Sequence, residues 1–355
     1  MKIEDFFRNA LRRSVEKRRI VIGLAGEGRL LPCMVDAYRD QPLADSLVFY
    51  HPDGKKAKNM AKRLGLDGAV SDIHSFRNEV DAVEVFDLPG GRVELVERLL
   101  KAGKHVSVQK PFAENMEDAK VMARAAKSSG SFLRVNDYAL FYEPYVRLKK
   151  MIRSMEIGEV CAIRFHANLA GGGGWGPLPE YLKDGRVLFH PAFDRFALAI
   201  DLLGDVESVI ASVNPMRPRK GGQGVVGFKY KAPGCYGHFD LTYAPQTAIR
   251  TDGLPCDDTI EVAGTDGIIW ARHFHGKMTE EPSIEVRRGK KCYSMGIGSG
   301  METEWTDSLR ASAEHFLKSI SRSRQPRLSG RDAMKALKFL TAAQEASDTR
   351  SEVKL

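Results

Sequence analysis

Cysteine is scarce in this 355-residue chain: Cys33, Cys161, Cys235, Cys256 and Cys292 are an odd number, lie far apart and form no C-x-x-C pair. That scarcity excludes a disulfide framework and a zinc finger, and it fits a reducing, cytoplasmic compartment. His273 and His275 stand two apart with no Cys or carboxylate spacing to partner them, so no metal site is expected. Long apolar runs are missing as well. None approaches the roughly 18–20 residues of a membrane helix. The opening MKIEDFFRNALRRSVEKRR also lacks the apolar stretch of a secretory signal. The formal net charge is +8, yet the basic residues are scattered outside Arg12 to Arg19 and Lys55 to Arg63. No Lys/Arg tract alternates with aromatics and no recognition helix is visible, so no nucleic-acid partner is expected. A basic surface still attracts anionic ligands. What remains is a soluble globular chain, long enough to bury about three quarters of its unfolded surface, whose length suggests two domains.

What is present is a change of pattern along the chain. Ile3, Phe6, Phe7, Ala10 and Leu11 recur at helical spacing, which predicts a helical extension over residues 1–17. From Arg19, strand-length apolar runs at Ile20–Ala25, Leu47–Tyr50, Ala82–Phe86, Val106–Val108 and Phe132–Val135 alternate with helical stretches near 30–40, 54–64, 92–102 and 116–129. Such alternation predicts a doubly wound α/β domain with a parallel sheet, over residues 18–137. Beyond about residue 155, runs at 160–167, 225–231, 236–243, 259–263, 268–272, 284–287 and 291–295 are joined by Gly/Pro/Asp turns and alternate in part with period 2. They predict a large, mainly antiparallel open sheet with helices at 191–203 and 306–321, in a second α/β domain over 138–330. The segment 331–355 reads as a helix and tail returning toward the first domain. Gly171–Gly174 and the following Trp175 read as a surface loop that can cover a cleft.

The first chemical signal is Gly23-Leu24-Ala25-Gly26-Glu27-Gly28-Arg29-Leu30-Leu31, where the first strand ends and a helix opens. Glycine permits the tight turn that lets backbone N–H groups approach a pyrophosphate. The full fingerprint is G-x-G-x-x-G, and its third glycine is here Leu31. About 20 residues on, where a carboxylate would bind a ribose 2′-hydroxyl, stands His51, followed by Asp53, Lys55 and Lys56. Cations without a carboxylate tolerate a 2′-phosphate, a lean toward NADP over NAD. Lys110 follows the fifth strand, on the side where ligands bind in doubly wound sheets, and Pro111 restricts its backbone to extended angles.

Together with Val80-Asp81-Ala82-Val83, Leu88-Pro89, Ala102-Gly103-Lys104-His105-Val106, Gly158-Glu159-Val160, Leu202-Leu203-Gly204, Gly264-Thr265-Asp266-Gly267 and Ser329-Gly330-Arg331-Asp332-Ala333, these segments resemble the glucose–fructose oxidoreductase/inositol dehydrogenase (Gfo/Idh/MocA) family across residues 18–350. The resemblance implies an NAD(P)-dependent oxidoreductase that moves a hydride between the nicotinamide and a sugar, polyol or related cyclic alcohol. It also implies a homodimer or homotetramer built on the open sheet. Cofactor contacts are expected from Gly26, Glu27, Gly28, Arg29, Leu30, His51, Lys56, Leu88, Pro89, Gln109 and Lys110. Three positions depart from the family pattern. Gln109 replaces the glutamate of E-K-P, Arg92 stands near a family histidine, and the D-x-x-x-H pair is inverted to His190 and Asp194. With Pro191 opening a helix, His190 and Asp194 would share one face and act with Lys110 in proton transfer. Asn136, Tyr138, Arg164, His166 and Trp175 are candidate substrate contacts, with Tyr142 nearby. The departures also leave room for a non-catalytic sensor of cofactor or sugar on the same fold.

Overall fold

The structure, a computed structural model, describes residues 19–88, 91–170, 192–217, 221–244, 256–272, 282–296 and 305–355. The expected helical extension 1–17, the loop 171–174, Pro89, Trp175 and His190 lie outside the described residues. The chain forms two compact units. One comprises residues up to Ser107 with Ala125–Leu133 and Ala313–Arg327; the other comprises Val108–Arg124, Arg134–Ser312 and Leu328–Leu355. Each unit is thus assembled from three stretches of the chain.

Six strands, β1 (Ile20–Ala25), β2 (Ala44–Tyr50), β3 (Gly68–Val70), β4 (Ala82–Val85), β5 (His105–Gln109) and β6 (Leu133–Asn136), make one sheet in the order β3-β2-β1-β4-β5-β6. Pairings of β1 with β2, β1 with β4 and β2 with β3 are parallel. This is the doubly wound order, in which the strand succession reverses beside β1. The helices are α1 (Leu31–Arg39), α2 (Gly54–Leu64), α3 (Ile73–Glu79), α4 (Arg92–Lys101) and α5 (Met116–Ser129). Each begins for a local reason. Pro32 lies in the first turn of α1, while the Asp53 carboxylate caps α2 by accepting from the Lys55 and Lys56 N–H groups. Strand β3 and helix α3 were not expected from the sequence. Three residues are too few to show a period, and α3 buries only Phe76.

The second sheet has nine strands: β7 (Val160–Ala170), β8 (Val206–Arg217), β9 (Gly221–Tyr230), β10 (Tyr236–Ala244), β11 (Cys256–Gly264), β12 (Gly267–Arg272), β13 (Ile284–Arg288), β14 (Lys291–Met295) and β15 (Val353–Lys354). Their order is β14-β13-β12-β11-β7-β10-β9-β8-β15. All its pairings are antiparallel except β7 with β10. The long connection from β7 to β10 permits that one parallel pair, which a tight turn would forbid. Strand β8 escaped the sequence reading because its register shifts twice against β9, and such irregularities break the period-2 pattern.

One face of this sheet is the core. Helix α6 (Glu143–Arg153) follows β6, α7 (Phe193–Leu203) precedes β8, and α8 (Trp305–Ser321) and α9 (Gly330–Thr349) close the chain. The rings of Phe196 and Phe339 meet edge to face at 4.7 Å, and Phe228 and Phe239 complete the cluster. Helix α9 opens beside β6, where Ser329 bridges Arg134, then packs on β8 and α7 and hands the chain to β15 at the edge of the second sheet. Its apolar stripe of Ala336, Leu337, Phe339, Leu340 and Ala343 is drawn to the aromatic cluster. Phe339 is fully buried there, so Phe339→Ala should cost about 3–5 kcal/mol of stability. Urea unfolding measures it.

Candidate active site

The turn after β1 is shaped by its backbone. Gly26 adopts φ +95°, and a Cβ there would collide with the Asp87 carbonyl oxygen. The Gly26 N–H donates to the Tyr50 carbonyl (3.2 Å), and Glu27 exchanges backbone hydrogen bonds with Asp87 at 2.7 and 3.1 Å. The turn is therefore stitched to the ends of β2 and β4. Gly28 and Arg29 are exposed, and α1 opens just beyond with N–H groups that have no partner within the helix. Leu31, at the third-glycine position, is buried, so its side chain serves packing and leaves the open side of the turn clear. These features fit an anionic pyrophosphate.

Beside the turn, His51 is 2% exposed. Its Nδ1 accepts from the Asp53 N–H at 3.0 Å, while Nε2 lies 3.4 Å from Glu27 Oε1. Lys56 Nζ approaches the same oxygen at 3.5 Å. The carboxylate absent from the end of β2 is thus supplied from the turn itself. Asp53 is engaged as the cap of α2, and the cap hydrogen bonds hold its carboxyl below the ordinary range. Leu88 follows β4, half-buried, and Gln109 is buried at the end of β5.

The second group of residues is built around Lys110. Its Nζ donates to Asp194 Oδ2 at 2.6 Å, and the Tyr138 ring lies 5.4 Å from the ammonium, centroid to nitrogen. The same Asp194 oxygen is 2.8 Å from Arg195 Nη1, while Oδ1 accepts from the Arg195 N–H at 2.8 Å. Arg195 Nη2 then donates to Asp258 Oδ2 at 2.7 Å. Asp194, Arg195 and Asp258 are 0%, 4% and 1% exposed; the Lys110 side chain is 12% exposed. Burial alone would favour the neutral amine, but the charges of Asp194 and Asp137 and the Asp194 hydrogen bond outweigh it, so the Lys110 ammonium is held above the ordinary lysine range. Burial likewise pushes the Tyr138 phenol up. Both groups therefore keep their protons near neutral pH. Lys110 donates a hydrogen bond in that state.

Several expectations change. Helix α7 begins at Phe193 with Ala192 at its cap; His190 and Pro191 lie outside the described residues. Among the described residues, Asp194 meets two cations, Lys110 and Arg195. Asn136 is buried, its Oδ1 accepting from Ser312 Oγ, which also accepts from Arg134; it braces β6 and does not reach solvent. Arg164 and His166 pair in register with Glu261 and Thr259, whereas Asp258 pairs with Ala167. Alternation along β7 therefore puts Arg164 and His166 on the face of the sheet opposite Asp258 and its charge ladder. There Arg164 meets Glu261, and His166 lies 3.6 Å from Asp240. Arg92 opens α4, 3.9 Å from Asp87.

Sequence reasoning passed over Arg195 and Asp258, although both left a trace. Asp194-Arg195 is a charged pair at the head of FDRFALAIDLL, whose one other charged residue is Asp201, and Asp258 occupies an inward position of β11 between Cys256 and Ile260. Among the described residues no group of His, Cys, Asp or Glu could hold a metal, and no helix is long and apolar enough to cross a membrane.

Two family profiles match the chain: an oxidoreductase family's NAD-binding Rossmann fold over residues 20–137, and its C-terminal alpha/beta domain over residues 149–355. The chain is similar to myo-inositol 2-dehydrogenase of Thermotoga maritima, 24% identical over 94% of this chain and 98% of that one. It is also similar to D-apiose dehydrogenase of Rhizobium rhizogenes, 23% identical over 90% and 95%. Its fold matches levoglucosan dehydrogenase solved with NADH and levoglucosan, at TM-score 0.77, 21% identity and coverage of 95% and 99%.

Removing Asp194 as Asp194→Ala leaves Lys110 and Arg195 short of one buried anion and should cost about 3–5 kcal/mol at pH 7. Because the folded Lys110 pKa is raised, its contribution is fully present below the ordinary lysine value of about 10.4 and is lost as pH rises through the folded value. The stability gap between wild type and Lys110→Met should therefore be flat from about pH 6 to 9 and shrink only above about 10.4. Urea titrations across that range test it.

Proposed function

The chain belongs to the Gfo/Idh/MocA oxidoreductase family, and from that premise we propose that it transfers a hydride between a nicotinamide dinucleotide and a sugar, polyol or related cyclic alcohol. The observation that carries this reading is Lys110, kept cationic at the end of β5 by Asp194. The cofactor supplies the redox chemistry. Gly26, Gly28 and the N–H groups opening α1 would receive its pyrophosphate. Leu88, Pro89 and Gln109 are assigned to the cofactor on the family pattern. Lys110 donates a hydrogen bond to the carbinol oxygen and stabilises the negative charge that develops as hydride leaves. Asp194 anchors Lys110 and takes no proton, because its oxygens already serve two cations. We assign the proton to His190, the side chain best suited to accept one near neutral pH. Tyr138, beside Lys110, and Trp175 are assigned to substrate.

For the cofactor, Glu27 turns the reading from NADP to NAD. The two residues behind the NADP lean, His51 and Lys56, both face its carboxylate. A carboxylate there repels a 2′-phosphate and suits a free ribose diol. The dehydrogenase of similar fold solved with NADH supports that choice. Ile210, Val225 and Tyr236 are exposed on the outer face of the second sheet, the face that carries Arg164 and His166. Their apolar surface supports association of copies through this sheet. All five cysteines are free thiols, in keeping with a reducing, cytoplasmic setting.

The deciding experiment is absorbance at 340 nm with NAD and NADP against a panel of sugars, inositols and related cyclic alcohols. Reduction by at least one substrate is expected, and Lys110→Ala should lose about 10²-fold or more of kcat. Binding of cofactor without turnover on any member would favour a sensor. NAD should be preferred, and Glu27→Ala should improve kcat/KM for NADP relative to NAD by about tenfold, equivalent to ~1.4 kcal/mol.

A further inference from the structure

We propose that Arg195 and Asp258 are positioning residues for this reaction: the ion pair they form fixes the Asp194 carboxylate, and through it the direction in which Lys110 presents its ammonium. The proposal rests on the dehydrogenase reading of the Lys110 site. The geometry is a four-member chain of alternating charge, Lys110, Asp194, Arg195 and Asp258, closed by contacts of 2.6, 2.8 and 2.7 Å. A guanidinium is a planar fork that can hold two carboxylates at once, whereas an ammonium is a point charge with rotating donors. Arg195 spans the two in this way, its Nη2 donating to Asp258 while Nη1 makes an ion-pair contact with Asp194 at 2.8 Å.

Asp258 gives the chain its fixed end. It sits on β11, in register with Ala167 of β7 inside the second sheet, so it cannot drift. It also balances charge. Without Asp258, the ion pair that Arg195 keeps among the described residues is with Asp194, for which it would compete with Lys110. With Asp258, each cation has one anion and Asp194 is shared. Arg195 faces both oxygens of that carboxylate, its backbone N–H donating to Oδ1 and its Nη1 lying 2.8 Å from Oδ2, and Lys110 donates to the same Oδ2. Asp137 and Tyr138, which follow β6, also face Lys110, and Tyr138 lies within electrostatic reach of Asp194 and Arg195. Burial pushes the Tyr138 phenol up, so it keeps its proton and brings no charge to compete for Asp194, and the ionic bracing falls to Arg195 and Asp258.

Two isolated changes separate positioning from mere structure, because they move Lys110 differently. Asp258→Asn keeps shape and removes one negative charge, so Arg195 draws on Asp194 and the Lys110 ammonium is held less firmly. Arg195→Gln removes the competing cation, so Lys110 keeps its hold while Asp194 loses its brace. Competitive labelling with acetic anhydride at pH 9, read by mass spectrometry of the Lys110 peptide, needs no substrate. Lys110 should label about tenfold faster in Asp258→Asn, as expected for a fall of one pKa unit. In Arg195→Gln it should label no faster than in wild type. With a substrate from the panel, kcat should fall about tenfold or more in both variants, while substrate KM and the NADH dissociation constant stay within about threefold. Faster labelling in both variants would mean a loosened fold and overturn the proposal, as would wild-type labelling in Asp258→Asn or unchanged kcat in folded variants. A protein that turns over no panel member fails the dehydrogenase reading, yet the labelling still decides whether Arg195 and Asp258 govern Lys110.

Discussion

A buried carboxylate shared by two cations is the interaction on which the rest of this protein's chemistry depends. Desolvating Lys110 by itself would drive it toward a neutral amine, and a neutral amine could neither stabilise an alkoxide nor hold a fixed orientation. Asp194 reverses that outcome. A buried ion pair is poor at adding net stability, since each charge must leave water. The ladder from Lys110 to Asp258 is better understood as a device for orientation, bought at the expense of desolvation. The same arrangement explains why an aspartate can stand where the family pattern has a histidine. In the proposed reaction its role is that of an anchor, with acceptance of the proton assigned to another side chain.

The cofactor turn obeys a comparable economy of charge. Glu27, His51 and Lys56 converge beside Gly26, so a carboxylate stands one loop away from the end of β2, where the fingerprint would place it. Electrostatic readings of nucleotide sites that count only the residue at the fingerprint position miss such substitutions in space. The two faces of the second sheet divide labour in the same physical terms. Its inner face carries the phenylalanine cluster and Asp258, and its outer face carries Arg164, His166, Glu261 and the exposed apolar residues. A period of two along β7 and β11 is enough to separate these roles completely.

The sequence by itself determined a good deal. Near-continuous apolar strands alternating with amphipathic helices specified the doubly wound sheet, and helices at 54–64 and 116–129 were legible to the residue, because caps and apolar stripes are local signals. The Gly26 turn and the Lys110-Pro111 dipeptide were legible too, since a positive φ and a strand-end lysine follow from residue type and place. Irregular and short elements were not: β8 is masked by its register shifts, and β3 by its length.

Only the tertiary structure decided which charges meet. Lys110 and Asp194 are far apart in the chain, as are Arg195 and Asp258, and nothing in residue spacing ties one to the other. The sequence named Asp194 but not its contact with Arg195. It grouped Arg164 and His166 with the site, while the register of β7 against β11 turns them outward. Hydrophobic periodicity is a one-dimensional signal that survives translation into a fold. Pairing between ions depends on three-dimensional proximity in a medium from which water has been removed, and that is set only when the sheets and helices have packed.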